Sequence, residues 1–151
     1  MKQYIYNLGQ LFTNVAKKHA NDVAIQLTSG DKILYVELDE LSNRLAWFMR
    51  EKGVGLRDVV VILNNKSFMS YALMIACLKI GAIYCNLDPK SPTERFNRML
   101  STCKPKLLFF ANAFGDTVVE SSFQPENSVN YEQFEFCQQV DLKSSLFWET
   151  N

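Results

Sequence analysis

The sequence predicts an α/β fold in which an N-terminal β-hairpin and helices precede a parallel β-α-β-α-β unit. Three observations predict it: amphipathic helical periodicity in the first third of the chain, short β-branched or aromatic runs in the middle, and the alternation of those runs with helical segments. The chain has 151 residues, 48% of them hydrophobic, which suffices for one domain with its own core. This composition excludes a mainly disordered protein.

The chain opens with a helix and a hairpin. Apolar residues three and four positions apart predict a helix over residues 8–19. The runs VAIQL and KILYV then predict two strands, and the polar tetrad between them contains Gly30, which favours a tight turn. Both strands therefore belong to one antiparallel hairpin.

A second amphipathic helix follows from Glu37. Its leucines and aromatic residues recur at helical spacing, and Gly53 is a suitable stop signal. Its opposite face is predicted to be polar and solvated, and it carries Asp39, Glu40, Asn43, Arg44 and Arg50.

The middle of the chain alternates strands and helices with short connections. The runs VVVIL, AIYCNL and KLLFFA predict three buried strands. An almost entirely apolar helix over residues 67–80, stopped by Gly81, separates the first two, and a helix that begins near Pro92 and ends near residue 103 separates the last two. This order predicts parallel pairing through right-handed crossovers.

Charge divides the chain into two parts. The 16 basic and 16 acidic residues cancel overall, but residues 1–113 hold 15 basic against 9 acidic residues, and residues 114–151 hold 1 against 7. We therefore expect residues 1–113 to form the main scaffold and residues 114–151 to form an acidic, weakly structured extension, with one helix near residues 131–138.

Composition and patterning exclude several classes of function. The basic residues are spread over mixed-charge faces, which excludes a nucleic-acid-binding protein. The apolar stretch over residues 68–87 contains Lys79 near its middle, which argues against a membrane span. The N-terminus lacks a signal-peptide core, so a cytoplasmic protein is expected. Free thiols, and not a zinc site, are expected for Cys77, Cys85, Cys103 and Cys137.

The sequence offers weak candidates for chemistry. The six glycines form no phosphate-binding loop, which leaves the turn Asn64, Asn65, Lys66 and Ser67 before a helix as the best anion candidate. A plain capped connection is the favoured interpretation of that turn. His19 follows two lysines at a helix end and is interpreted as a solvated residue. Asp39 and Glu40 are adjacent, so they point in different directions and form no catalytic pair.

Three stretches, in this order and at natural spacing, carry a family resemblance. In ILYVELDELSNRLAWFMREKGVG the matching residues are Tyr35, Glu37, Leu38, Asn43, Arg44, Leu45 and Ala46. In LKIGAIYCNLDP they are Leu78, Lys79, Gly81, Ala82, Tyr84, Leu87, Asp88 and Pro89, and in SPTERFNRML they are Ser91, Pro92, Glu94, Arg95, Met99 and Leu100. Over residues 8–111 the chain thus resembles the beginning of an amino-acid adenylation domain of the adenylate-forming ligase superfamily, as in nonribosomal peptide synthetases. The departures, Leu34 and Asn86, concern only local backbone.

The resemblance implies a reaction, but the family's catalytic residues lie outside the stretches that this chain matches. The family activates a carboxylate with ATP and Mg²⁺ and passes the acyl group to a thiol, commonly on a carrier protein. Its phosphate-binding loop and catalytic lysine lie beyond the matched stretches, and DLKSSLFWETN resembles the run-up to that loop. We therefore assign no catalytic, cofactor-binding or metal-binding residue, and we expect no cofactor for this chain alone.

Three hypotheses follow, and oligomeric state is left open. The first is an N-terminal fragment of an adenylation domain that is inactive by itself and incomplete relative to the family's large N-terminal domain. The second is a non-catalytic interaction module or one half of a split enzyme, whose partner is the rest of the adenylation domain or a carrier protein, with Phe147 and Trp148 suited to docking. The third, a flavodoxin-like or receiver domain, matches only the alternation of strands and helices.

Overall fold

A computed structural model describes residues 7–123 and 125–133. A two-stranded antiparallel sheet precedes a four-stranded parallel sheet. The elements are, in order, α1 Leu8–Lys18, β1 Val23–Gln26, β2 Lys32–Leu34, α2 Tyr35–Glu51, β3 Val59–Leu63, α3 Phe68–Ile80, β4 Ile83–Leu87, α4 Thr93–Cys103, β5 Leu107–Phe110, α5 Gly115–Val119 and β6 Ser128–Asn130. The predicted hairpin and the β-α-β-α-β unit are confirmed.

The parallel sheet has the strand order β4-β3-β5-β6, with helices on both faces. Val60 and Ile62 of β3 pack toward α2 and α3, and Val61 and Leu63 pack toward α4 and α5. The connection from β3 to β4 therefore crosses one face of the sheet through α3, and the connection from β4 to β5 crosses the other face through α4. All four of these β3 side chains are fully buried, which explains why this strand has no polar alternation.

Helix α2 begins two residues before the predicted start. Tyr35 and Val36 belong to this helix, although the run KILYV suggested a strand through both. The carboxylate of Glu37 accepts a hydrogen bond from the backbone N–H of Leu34 at 2.8 Å, which closes the first helical turn. This local cap outweighs the β preference of the two residues.

Strand β4 is not buried as predicted. It is an edge strand of the described sheet. Ile83 is 51% exposed to solvent and Tyr84 is 39% exposed. The interior strands β3 and β5 are covered more completely, because helices pack over the middle of the sheet on both of its faces. Hydrophobicity alone does not distinguish an edge strand from a central one.

The segment after Phe114 contains a strand that the sequence did not predict. Strand β6 pairs in parallel with β5, and Val129 lies opposite Phe109. Residues 131–133 form a turn, and the rest of the helix predicted over residues 131–138 lies outside the described residues. Cys137, Phe147 and Trp148 lie outside them too. The division at residue 113 stays a prediction.

Within residues 7–123 and 125–133, no helix combines the length and the apolar character that crossing a bilayer would require. The apolar helix α3 has 13 residues. Gly81 ends it in the left-handed conformation, with φ of 73°, as the sequence predicted for a stop signal.

Candidate functional site: a crevice at the carboxyl edge of the sheet

A crevice of about 600 Å³ opens where the parallel strands end. The connections after β3, β4 and β5 meet there, at the point where the chain changes direction across the sheet. In open α/β sheets this is the usual position of a ligand site. The crevice is lined by Asn64, Asn65, Lys66, Asn86, Leu87, Asp88, Pro89, Lys90 and Phe114.

One wall of the crevice is the turn that the sequence singled out as an anion candidate. The backbone N–H of Lys66 donates to Asn64 Oδ1 at 2.7 Å, and the N–H of Ser67 donates to Asn65 Oδ1 at 3.2 Å. Lys66 adopts a left-handed backbone conformation, with φ of 58°. Each asparagine therefore satisfies a donor two residues along, which is the pattern of an Asx-turn.

The N-terminus of α3 is likewise capped by its own residues. The N–H of Ser70 donates to Ser67 Oγ at 3.3 Å, and the Ser70 hydroxyl donates to Asn65 Oδ1 at 3.0 Å. The N–H groups of Lys66, Ser67 and Ser70 are thus engaged within the loop and do not point at the crevice. This arrangement is a capped connection, the interpretation that the sequence favoured.

The opposite wall of the crevice follows β4. The N–H of Lys90 donates to Asp88 Oδ1 at 2.9 Å, and Asn64 reaches across to Asn86 with 3.5 Å between Nδ2 and Oδ1. Asp88 is the single acidic residue of the crevice lining. A Mg²⁺-bound triphosphate requires several convergent donors and metal ligands. The described residues of this crevice do not fit that requirement.

Among the described residues, the other candidates that the sequence singled out form no assembled catalytic group. His19 ends α1, half-exposed, with Nδ1 at 2.8 Å from Asp22 Oδ2. Burial raises the pKa of the Cys77 thiol to about 12, so this cysteine is an inert core residue. Within the described ranges, no three His, Cys, Asp or Glu side chains come together as metal ligands.

The structure brings together one polar cluster that the sequence analysis missed. The Lys79 side chain on α3 is fully buried, and its Nζ donates to three side chains of α2. The acceptors are Asp39 Oδ1 at 2.7 Å, Ser42 Oγ at 2.8 Å and Asn43 Oδ1 at 2.6 Å. We call Lys79, Asp39, Ser42 and Asn43 the Lys79 cluster.

The Lys79 cluster corrects the prediction of a solvated polar face on α2. Asn43 is buried and the Asp39 side chain is only 17% exposed, because both turn toward α3. Glu40 is exposed and points elsewhere, as expected. The signal in the sequence was Lys79 itself, since a lysine inside an apolar helix needs acceptors on a neighbouring element.

The electrostatics of the Lys79 cluster favour a structural role. Burial lowers the pKa of Lys79, and the negative charge and hydrogen bond of Asp39 partly offset this. Thr13 of α1 also donates to Asp39 Oδ1, at 3.1 Å. The cluster therefore ties three helices together, away from the crevice, and its ammonium group has no access to a substrate.

Comparison with known proteins identifies the relatives of this fold. The family model described as "AMP-binding enzyme" matches residues 12–145. The chain is 38% identical over 102 residues to the nonribosomal peptide synthetase atnA of Emericella nidulans, covering 68% of this chain and 1% of that protein. It is 35% identical over 108 residues to tyrocidine synthase 3 of Brevibacillus parabrevis, covering 72% of this chain and 2% of that protein.

A solved structure agrees with these relatives. The N-terminal subdomain of NpsA from Klebsiella oxytoca, in complex with anthranilyl-AMSN, superposes with a TM-score of 0.65 at 25% identity. The superposition covers 70% of this chain and 28% of the NpsA chain. The present chain thus spans 1%, 2% and 28% of these three proteins.

Proposed function

This chain belongs to the AMP-binding enzyme family, and from that membership we propose that it supplies the N-terminal scaffold of an ATP-dependent enzyme that converts a carboxylate to an acyl-adenylate. One observation chiefly supports this: the matched residues build the sheet and its crevice, while the lining of the crevice has a single acidic residue, Asp88, and the N–H groups of Lys66 and Ser67 are bound within their own turn. The chain provides the framework on which a nucleotide site is assembled and does not provide the site itself.

We propose an amino acid as the substrate class. The support is that curated nonribosomal peptide synthetases match this chain at 32–38% identity. ATP is the proposed nucleotide and Mg²⁺ the proposed metal of the complete domain. When bound, ATP would supply the adenylyl group that the carboxylate takes up, with pyrophosphate as the leaving group, and Mg²⁺ would neutralise charge on the triphosphate. No step is assigned to a described residue, because the crevice does not fit a Mg²⁺-bound triphosphate.

We propose further that the 151-residue chain does not catalyse adenylation alone. In the turn before α3, which is the best-placed anion candidate, the N–H groups of Lys66, Ser67 and Ser70 already bind side chains of the same turn. The fully buried lysine, Lys79, is held by α2. Transition-state stabilisation in adenylyl transfer depends on free, preorganised donors and cations, and these N–H groups and the Lys79 ammonium group are not free.

The proposed partner is the rest of an adenylation domain, with a carrier protein as the acceptor of the acyl group. The exposed strand β4 supports this, since Ile83 and Tyr84 lie on a sheet edge that another element can cover. The exposed Leu56, next to Gly81 at the start of β4, extends the same apolar surface. No nucleic acid and no membrane enters the proposal, and the cytoplasmic location stays a prediction.

The alternative function is a non-catalytic interaction module or one half of a split enzyme. An apolar groove of about 490 Å³ favours it, formed by α1, the hairpin and α3. Leu8 and Leu11 of α1 line this groove and remain exposed. A surface of this kind suits a protein partner better than a charged nucleotide.

A chimera tests the proposed scaffold function. The stretch of tyrocidine synthase 3 that aligns over 108 residues is replaced by the matching stretch of this chain. We expect the chimera to retain amino-acid-dependent exchange of pyrophosphate into ATP, with the parent protein measured beside it. A second chimera carrying Lys79→Met is the control, and it should lose activity together with stability.

The outcomes separate the two functions. A folded chimera without exchange, beside an active parent, contradicts the scaffold proposal. Exchange that appears only when this chain is mixed with a separate polypeptide that carries the rest of the domain favours the split enzyme. Binding of a second polypeptide without exchange in any combination favours the interaction module.

A further inference from the structure

The groove between α1, the hairpin and α3 leaves apolar side chains in contact with solvent. Its volume is about 490 Å³, and the described side chains that line it carry no charge. Leu8 and Leu11 of α1 line the groove and are 63% and 43% exposed to solvent. Covering such a surface with another apolar segment is favourable, because apolar area is removed from water.

The first turn of α1 identifies the residue that is best placed to begin this cover. Asn7 caps the helix: its Oδ1 accepts a hydrogen bond from the N–H of Gln10 at 3.1 Å, and its carbonyl oxygen accepts one from the N–H of Leu11 at 3.0 Å. Tyr6 therefore directly precedes the cap, and Leu11 is the fourth residue of the helix. An apolar residue before the cap often packs against the residue at this fourth position, which is the hydrophobic staple.

Residues 1–6, with the sequence MKQYIY, precede the described part of the chain and have a suitable composition and length. Tyr4 and Tyr6 would lie on the same side of an extended segment. A tyrosine ring is apolar, and its hydroxyl can remain at the solvent side of a groove. Six extended residues reach about 20 Å. Because α1 has 11 residues and is therefore about 16 Å long, the segment can follow the whole helix.

We propose that residues 1–6 fold back along α1 and dock in the groove, with the Tyr6 ring on Leu11 and the Tyr4 ring further along the helix. The proposal goes beyond the proposed function and does not rest on it. The segment is tethered at the groove itself, because Leu8, two residues after Tyr6, lines it. Tethering gives the segment a high effective concentration there. A second copy of the chain or a separate partner would have to displace it.

The docked segment would hold α1 in place next to the Lys79 cluster. Phe12 lines the groove, and Lys79 Nζ lies 5.7 Å from the centre of its ring. Thr13, the next residue, donates to Asp39 Oδ1 at 3.1 Å. The segment would cover apolar side chains of α1 that the rest of the described chain leaves exposed. Loss of the docked segment should therefore lower the melting temperature.

Nuclear Overhauser spectroscopy on the full chain, with labelled aromatic rings and methyl groups, tests the docking directly. We expect cross-peaks from the Tyr6 ring to the methyl groups of Leu11, and from the Tyr4 ring to groove methyl groups such as those of Val15. Both should persist on dilution, because the contact is intramolecular. Absence of both, in a spectrum that shows the core contacts of Phe109, would overturn the proposal. Cross-peaks that vanish on dilution would assign the groove to a second copy and would overturn it too.

A double-mutant cycle shows whether Tyr6 and Leu11 act together. Tyr6→Ala is expected to lower the melting temperature by about 2–4 °C, and by clearly less in a Leu11→Ala background, where its partner is missing. Leu56→Ala provides the control background, since Leu56 is 74% exposed and does not line the groove. There the full shift should persist. An equal shift in all three backgrounds, or none in any, would overturn the proposal.

Discussion

The residue Lys79 shows how one buried charge organises its neighbours. Its ammonium group is fully buried and bound by Asp39, Ser42 and Asn43, so the charge is compensated and every neighbouring acceptor gains a donor. A buried ion pair adds little net stability compared with a well-packed apolar pair, but removing one partner leaves the other buried and uncompensated. Removing one member of the Lys79 cluster should therefore lower the free energy of unfolding.

We expect Lys79→Met to lower the free energy of unfolding by about 3–5 kcal/mol, because the substitution removes the cation from Asp39 and one hydrogen-bond donor from each of Ser42 and Asn43. Urea denaturation followed by circular dichroism measures this. Lys17→Met, at an exposed lysine of α1, is the matched control and should change stability by less than about 0.5 kcal/mol. Equal effects of the two substitutions would contradict the role of the Lys79 cluster.

Asp58 provides a prediction about pH. The backbone N–H of Gly55 donates to Asp58 Oδ2 at 2.8 Å, and Lys106 Nζ lies at 3.0 Å from the same oxygen. These partners, the Gly55 N–H first, lower the pKa of Asp58 below 3.8. Because the folded-state pKa is the lower one, the stabilising contribution of Asp58 is present above pH 3.8 and is lost as the pH falls through the folded-state pKa.

The substitution Lys106→Met tests the order of these causes. We expect the pKa of Asp58, followed by NMR titration of its carboxyl carbon, to rise in this variant and still remain below 3.8, because the Gly55 N–H is retained. A complete return to the ordinary value, or no change, would show that the two partners do not share the effect in this way.

At the scale of elements, the approach of α1 to α3 depends on Gly9. A Cβ atom at this position would lie 2.8 Å from the backbone N and Cα of Lys79, and 2.9 Å from the carbonyl carbon of Leu78. These are backbone atoms of a packed helix, so they cannot move aside as a flexible side chain does. The two helices must separate to accept any larger residue.

Gly9→Ala should therefore destabilise the protein, although alanine is normally preferred over glycine in a helix. Helix propensity alone would stabilise the variant by up to about 1 kcal/mol. We expect instead a net loss of about 1–3 kcal/mol in the free energy of unfolding, because overpacking dominates. Gly55→Ala is the control, since its Cβ would meet only Asp58 Oδ2 at 3.8 Å, an ordinary contact. A Gly9→Ala variant more stable than the parent would contradict the close packing.

The elements that the sequence predicts well are those with a strong internal pattern. The continuous apolar run of β3 and the uniformly apolar helix α3, stopped by Gly81, each carry a local signal that tertiary packing reinforces. Strand β6 has three residues, two of them polar, and its position depends on pairing with β5. Such pairing is not encoded locally, which is why the strand was missed.

The site is less predictable than the fold for the same reason. The capped turn before α3 is predictable, because asparagine and serine act on donors two or three residues away. The Lys79 cluster joins residues about 40 positions apart, with Lys79 Nζ on Asp39 Oδ1, so only the topology brings them together.

At the scale of the whole molecule, the described parallel sheet has two interior strands, β3 and β5, and an exposed edge strand, β4. Strands β3 and β5 have a strand on each side, and β4 has a described neighbour only on the β3 side. The helices α1, α2 and α3 are locked to each other by the Lys79 cluster and by Gly9. The result is a rigid framework with an exposed strand, which is the form expected of a scaffold to which further parts of an enzyme attach.

We propose that this chain supplies the framework of an acid-activating enzyme and not its chemistry. The most direct measurement is the exchange of labelled pyrophosphate into ATP by the purified 151-residue chain, assayed with Mg²⁺ and each standard amino acid in turn. We expect exchange no greater than that of the no-enzyme control with every amino acid. Amino-acid-dependent exchange that co-purifies with the folded chain would contradict it.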